Sequence, residues 1–189
     1  MKKLNPKEVL IPTVALLLIC LISTTLLAVT NSITQEKIAL NAVETEKASR
    51  MLVLPQGTQY DEVTTLENGI TYCIGYNDIG EEVGLVFTSD AKGYGGTVSV
   101  MVGIDSDDGT ITGVEILSHS ETPGLGANAV KPDFKARFIG KAGALTVDKN
   151  SNDGQNVQAI TAATITSKAV TSAVNAVTAA YAEITGGAK

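Results

Sequence analysis

Near the end of the chain, Thr161-Ala162-Ala163-Thr164-Ile165-Thr166-Ser167 sets four hydroxyl side chains among small residues at the start of a helical pattern. Such a run suits two kinds of chemistry. The exposed N–H groups and positive dipole end of a helix stabilise an anion such as a phosphate without Lys or Arg, and alanines let it approach the backbone. The same residues are ordinary N-caps, whose oxygens accept from the first free amides. A second passage, Ser118-His119-Ser120-Glu121-Thr122-Pro123-Gly124-Leu125-Gly126, follows a strand-like run. Its glycines let backbone amides approach a planar ligand, with hydroxyl, carboxylate and imidazole groups beside them. Taken alone, it reads as a loop held by Pro and Gly.

Other chemistry is weaker. Cys20 and Cys73 are the two cysteines, and Cys20 falls in an apolar run, so the rest of the chain has no internal disulfide. Cys73 reads as a small packed residue rather than a nucleophile. His119, the single histidine, has no second His or accessible Cys to complete a metal site. Asp105-Ser106-Asp107-Asp108-Gly109 hints at a calcium loop, but the sixth position is Thr110 and the twelfth Ile116, so a hairpin turn is expected. Gly124-Leu125-Gly126-Ala127-Asn128-Ala129 matches a dinucleotide fingerprint with Asp148 about 20 residues on. Pro123 and Pro132 flank it, however, and no alternating parallel units surround it. A formal charge of −6, 4% aromatic residues and no Trp exclude a basic or base-stacking nucleic-acid surface.

Residues 10–29 carry no charge over 20 positions, about 30 Å of helix and enough to cross the hydrocarbon of a bilayer. Pro12 is expected in the first turn, where a missing N–H costs little. Lys2, Lys3 and Lys7 precede the run. Short positive flanks stay cytoplasmic, which puts residues 1–9 inside and residues 30–189 outside the cytoplasm. A cleaved signal peptide has a shorter apolar region, about 7 to 15 residues, so a retained single-pass anchor in the cytoplasmic (inner) membrane is expected. Residues 30–54 interleave Ile33, Ile38, Leu40 and Val43 with charges and read as a stalk helix that Leu54-Pro55 ends.

Beyond Pro55 the period becomes two. Residues 71–76, 83–88, 97–104 and 110–117 read as strands, with turns at 77–80, 90–96 and 105–109. Val86, Val98, Val100, Val102, Val114 and Ile116 are expected on the buried face of an antiparallel sheet. A terminal helix with Val170, Val174, Val177, Tyr181 and Ile184 on one side covers it, stopped by Gly186 and Gly187. The class is α+β: a transmembrane helix, a stalk, and one sheet domain over residues 55–189.

The two passages, behind one N-terminal membrane helix, resemble the FMN-binding G-subunit family of Rnf-type electron-transport complexes, which is related to the C-type subunit of the sodium-translocating NADH:quinone reductase. The resemblance runs from the anchor through Gly93-Tyr94-Gly95-Gly96 to the terminal helix. It implies FMN joined through its phosphate, by a dedicated flavin transferase, to the last threonine of a Ser/Thr-Gly-Ala-Thr motif. On this chain that acceptor is Thr164, with Thr166 as second choice. Thr161, Ala162, Ala163, Ile165, Thr166 and Ser167 then surround the cofactor. His119, Glu121, Thr122, Pro123, Gly124, Leu125 and Gly126 form the loop that, by the same resemblance, packs against the isoalloxazine ring. Two departures stand out: Ala162 replaces the usual Gly, and Gln158 stands where an Asp often precedes the motif by three residues. Alanine is strained there if the position needs positive φ.

What the resemblance implies is a covalent-FMN electron carrier within an ion-translocating ferredoxin:NAD⁺ oxidoreductase. Its partners are the other membrane subunits of the complex, the flavin transferase, and lipid around residues 10–29. No catalytic acid, base or nucleophile, no metal and no nucleic acid is expected, and no cysteine set for an iron–sulfur cluster is present. Two other readings share the plan: a pilin-like structural or anchored binding module without flavin, and a stand-alone flavinylated reductase or signalling domain.

Overall fold

The computed structural model describes residues 6–186. Lys2 and Lys3 of the positive flank and Gly187 of the helix stop lie outside the described residues. The chain divides into two units, Met1–Glu44 and Thr45–Lys189.

The first unit is helical. Helix α1 (Pro6–Val53) runs without a break through the apolar run and the charged stretch after it, and its last turns belong to the second unit. Within it, Val9–Gln35 is long and apolar enough to cross a membrane. Leu10, Ile11, Leu17, Ile19, Leu21 and Leu27 are all exposed, as on a helix whose solvent is hydrocarbon. Thr13, Thr25 and Thr34 donate their hydroxyls to the carbonyls of Val9, Leu21 and Thr30 at 2.8, 2.7 and 2.9 Å. Each is thereby satisfied without water. Pro12 falls one turn inside α1 rather than in its first turn, because the polar residues ahead of the apolar run are helical too.

The second unit is built on an antiparallel sheet. Strands β1 (Gln59–Tyr60), β2 (Thr64–Thr65), β3 (Thr71–Tyr76), β4 (Glu82–Lys92), β5 (Thr97–Asp105) and β6 (Ile111–Ser118) pair in the order β1-β3-β4-β5-β6, with β2 also beside β3. The four longer strands lie where the period-two pattern puts them. β4 runs further than expected, because its pairing with β5 continues to Lys92 opposite Thr97. The turn shrinks to Gly93-Tyr94-Gly95-Gly96, closed by the Gly93 N–H donating to the Gly96 carbonyl at 2.8 Å. The acidic run at 105–109 forms the β5–β6 turn, with the Asp105 N–H donating to the Thr110 carbonyl at 2.9 Å.

Both faces of the sheet are covered. Leu85, Phe87, Val98, Val100, Val102, Val114 and Ile116 pack with Val170, Val174 and Val177 of α3 (Thr164–Ile184). Each such side chain contributes about 1.5–3 kcal/mol of burial. Phe87 stacks on Tyr72 and meets Tyr181 edge-on, with ring centres 5.7 and 6.5 Å apart. Val86 is on the other face, with Cys73 and Met101, where the end of α1 buries Val53 and Leu54. That corrects the expected face for Val86. In Leu85-Val86-Phe87 every residue is apolar, so alternation cannot say which two point toward α3. Ile184, expected on the buried side of α3, is 38% exposed beyond the sheet.

Between β6 and α3 come a 3₁₀ turn at Gly126–Val130, helix α2 (Pro132–Lys135), and a parallel pair, β7 (Thr146–Asp148) with β8 (Asn156–Gln158). Asn175 of α3 pins this segment as a strand partner would. Its side chain accepts from the Leu145 N–H and donates to the Leu145 carbonyl, both at 2.8 Å.

Candidate functional site

Three pieces of chain converge on Glu121: the β4–β5 turn, the loop after β6, and the start of α3. Glu121 is 7% exposed. Its Oε1 accepts from the Gly95 N–H at 3.0 Å, and its Oε2 accepts from the Thr166 hydroxyl at 2.5 Å. The Glu121 N–H in turn donates to His119 Nδ1 at 3.2 Å. Burial pushes the carboxyl up, but the Thr166 hydroxyl, the Gly95 and Tyr94 amides and the nearby His119 outweigh it, and the net direction is below the ordinary carboxylate value. Space is tight here. A Cβ on Gly126 would collide with Glu121 Oε2 and Thr166 Oγ1.

The loop turns at Thr122-Pro123-Gly124-Leu125. Pro supplies the fixed φ, Gly124 takes φ +78°, and the Leu125 N–H closes onto the Thr122 carbonyl at 3.2 Å, a type II turn. Asn128 locks it by donating its side-chain amide to the Gly124 carbonyl at 2.8 Å.

Against this loop, and walled on the far side by the start of α3, lies a cavity of about 550 Å³. Thr122, Leu125 and Gly126 line one side and Ala162, Ala163, Thr164 and Ile165 the other, with Tyr94, Glu121 and Thr166 between. Tyr94 and Ile165 stand 73% and 54% exposed at the mouth. Thr164 is the first residue of α3, and no side chain caps the helix. The amides of Thr164, Ile165 and Thr166 therefore have no acceptor within the helix. The Thr164 hydroxyl makes no hydrogen bond among the described residues. The expected use of this run as ordinary N-caps does not occur, because Thr166 and Ser167 are turned to other work and the cap position is Ala163.

Ser167 is buried and holds the approach to α3. Its Oγ accepts from the Ile160 N–H at 2.9 Å and donates to the Ala163 carbonyl at 3.0 Å. Ala162, in the middle of this loop, has φ +60°, the one described non-glycine residue in that region. A Cβ there costs about 1–2 kcal/mol. The position thus has the geometry that a glycine serves without strain, and this chain meets it with the smallest side chain that strains it.

A second cavity, about 530 Å³, shares Leu125 and Ala162 with the first and is bordered by Thr161, Gly124, Lys131, Arg137 and Gln158. Arg137 donates to the Gln158 and Ala159 carbonyls at 2.5 and 3.4 Å and lies over the Phe134 ring. Because the tie runs to main-chain oxygens, it does not depend on which side chain stands at 158.

Of the residues the sequence singles out, nine line the first cavity: Glu121, Thr122, Leu125, Gly126, Ala162, Ala163, Thr164, Ile165 and Thr166. Thr161 and Gly124 border the second. His119, Pro123 and Ser167 line neither and act as supports. Tyr94 was absent from the expected site residues. Its signal is an aromatic residue inside a run of glycines, Gly93-Tyr94-Gly95-Gly96. Lys131 and Arg137, in segments with no motif, carry no comparable signal.

Residues 93–179, which include both sides of the cavity, match the FMN-binding domain family. The chain is 36% identical over 177 residues to the G subunit of the ion-translocating oxidoreductase complex of Methanosarcina acetivorans, spanning 90% of this chain and 93% of that one. The chain belongs to the G-subunit family of ion-translocating oxidoreductase complexes. It is also 35% identical to the G subunit of the proton-translocating ferredoxin:NAD(+) oxidoreductase complex of Clostridium ljungdahlii, over 89% of each chain. In fold it is similar to the crystal structure of Shewanella oneidensis NqrC, with a TM-score of 0.50 at 22% identity, over 64% of this chain and 65% of that one. Membership of the G-subunit family makes this an electron-transfer subunit with an FMN-binding domain, and one helix long enough to serve as a single-pass anchor fits a membrane complex.

Proposed function

We propose that this protein holds FMN covalently on Thr164 and relays electrons within a ferredoxin:NAD⁺ oxidoreductase complex. The observation that carries the reading is the Thr164 hydroxyl: it makes no hydrogen bond among the described residues, faces the 550 Å³ cavity, and stands at the N-terminus of a 21-residue helix.

The residues fit the cofactor. The cavity lies inside the usual range for small-ligand sites, about 300–1,000 Å³. Leu125, Ile165 and the alanines offer an apolar wall, and no Lys, Arg or His among the described residues lines it, so a phosphate there relies on the amides of Thr164, Ile165 and Thr166 and on the helix dipole. Bound FMN supplies the reversible electron chemistry. The chain holds and orients it. Attachment forms a bond from the Thr164 oxygen to the flavin phosphorus as a P–O bond to a leaving group on the flavin nucleotide breaks, the hydroxyl proton balancing the departing oxygen, so that the chain gains one FMN less one water. Thr166 is the poorer acceptor, since it is 1% exposed and its hydroxyl donates to Glu121.

A phosphoester lies at the far end of the ribityl chain from the ring. It retains the cofactor while leaving the ring in an open cavity where partners can reach it. The N-terminus lies in the cytoplasm and the sheet domain on the opposite side of the membrane, with the other subunits of the complex as electron partners and a flavin transferase for maturation.

Intact mass and visible absorbance of the full chain co-expressed with a flavin transferase test this reading. The expected result is flavin absorbance that survives denaturation and a mass gain that peptide mapping places on Thr164. A colourless, unmodified chain in the presence of active transferase would exclude it.

A further inference from the structure

Among the described residues, the wall of the Thr164 cavity carries a single carboxylate, Glu121, and no basic side chain. Both of its oxygens are held from within the protein, one by the Gly95 N–H and the other by the Thr166 hydroxyl. These donors sit on different elements, the β4–β5 turn and α3, so the charge is fixed in position. The tight fit of Gly126 against Oε2 closes off retreat. Two donors on the ionised form keep it ionised, and His119, which also favours that form, does not line the cavity.

Resting on the flavin reading above, we propose that Glu121 is a positioning residue that lowers the midpoint potential of the bound FMN, its fixed negative charge opposing the charge that reduction adds. Glu121 is 7% exposed, so little water reaches its carboxylate and its field toward a ligand in the same cavity is screened less than that of a surface charge. Charge near the ring is one of the means by which a protein tunes a flavin. The competing role is mechanical, in which Glu121 only ties the three pieces of chain together.

Glu121→Gln separates the two. Its amide oxygen can still accept from Gly95 and its amide nitrogen can donate to Thr166 Oγ1, so the brace survives with one hydrogen bond reversed while the charge is lost. Thr166→Val does the converse, removing one donor and keeping the charge. The experiment is spectroelectrochemical titration of the full, flavin-loaded chain in detergent at fixed pH and salt, the electrode supplying the electrons, with flavin content measured in parallel.

At unchanged flavin content, Glu121→Gln is expected to move the midpoint positive by a tenfold change in the reduction equilibrium, about 59 mV for a one-electron step. Thr166→Val is expected to stay at or below the wild-type value. An unchanged midpoint in Glu121→Gln, or an equal positive shift in both variants, overturns the proposal and leaves a brace. If Glu121→Gln retains no flavin, Thr166→Val decides: a value at or below wild type supports the proposal and a rise overturns it. A wild-type chain that takes up no FMN removes the flavin reading itself, an outcome seen in the absorbance before any potential is measured.

Discussion

The two sides of the cavity use their polar groups differently. On the loop side the carboxylate, the imidazole and two carbonyls are spent internally, while the Thr122 hydroxyl makes no bond among the described residues: Glu121 accepts from Gly95 and Thr166, His119 accepts from Glu121, and the Thr122 and Gly124 carbonyls close the turn. On the helix side the first amides and the Thr164 hydroxyl have no partner among the described residues. Saturated groups shape a site, and unsatisfied ones recognise a ligand. That contrast leaves the unpaired amides at the start of α3, while the loop's bonded groups hold its own shape.

The sharpest way to break the contrast is to exchange a hydroxyl on each side. Thr164→Val is expected to abolish covalent flavin while leaving the fold intact, whereas Thr122→Val, which also faces the cavity, should keep it; in-gel flavin fluorescence after denaturation reads both. Next in size is Ser167→Ala, which strands the Ile160 N–H. It should cost about 1–3 kcal/mol and lower the thermal midpoint by several degrees, with a reduced yield of flavinylated protein if the Ala162 loop loosens.

Glu121 gives a smaller, pH-dependent effect on the loop side. Its folded value is below the ordinary one, so the stability it adds is present above about pH 4.3 and is lost as pH falls through the folded value. Thermal unfolding followed from about pH 6 to about pH 3 should show a larger acid loss for wild type than for Glu121→Gln. Smallest is Ala162→Gly. Relief of about 1–2 kcal/mol of strain is offset by about 0.4–1 kcal/mol from the freer unfolded chain. A rise in midpoint of about 1–2 °C is expected, and a fall would mean that the alanine methyl packs usefully between the two cavities.

Much of this was legible before the fold. The anchor, the four long strands and the buried stripe Val170, Val174 and Val177 are local periodicities, and the chain declares them at short range. The pairing of the Glu121–Gly126 loop with the Thr161–Ser167 run was legible as a motif, and both line one cavity. The face of Val86 is not legible in the sequence, since burial on both sides of the sheet erases alternation. Tyr94 has a local signal, an aromatic residue inside Gly93-Tyr94-Gly95-Gly96, whereas nothing within a few positions marks Arg137. The sequence states the strain at Ala162 only as a condition on φ, and the structure supplies the value of +60°.

The sequence by itself determined the helix and strand segments, the apolar anchor and the hydroxyl-rich start of α3, because these depend on side-chain type and spacing within one element. Only the tertiary structure decided which hydroxyls are free. Thr166 is consumed by Glu121, 45 residues away, and Ser167 by a backbone amide across the loop, leaving Thr161 and Thr164 without a bond among the described residues, and of these two Thr164 lines the 550 Å³ cavity. The physical reason is that a hydrogen bond between distant residues exists only once the intervening chain has closed, and no local pattern encodes which of several equivalent hydroxyls will be left without one.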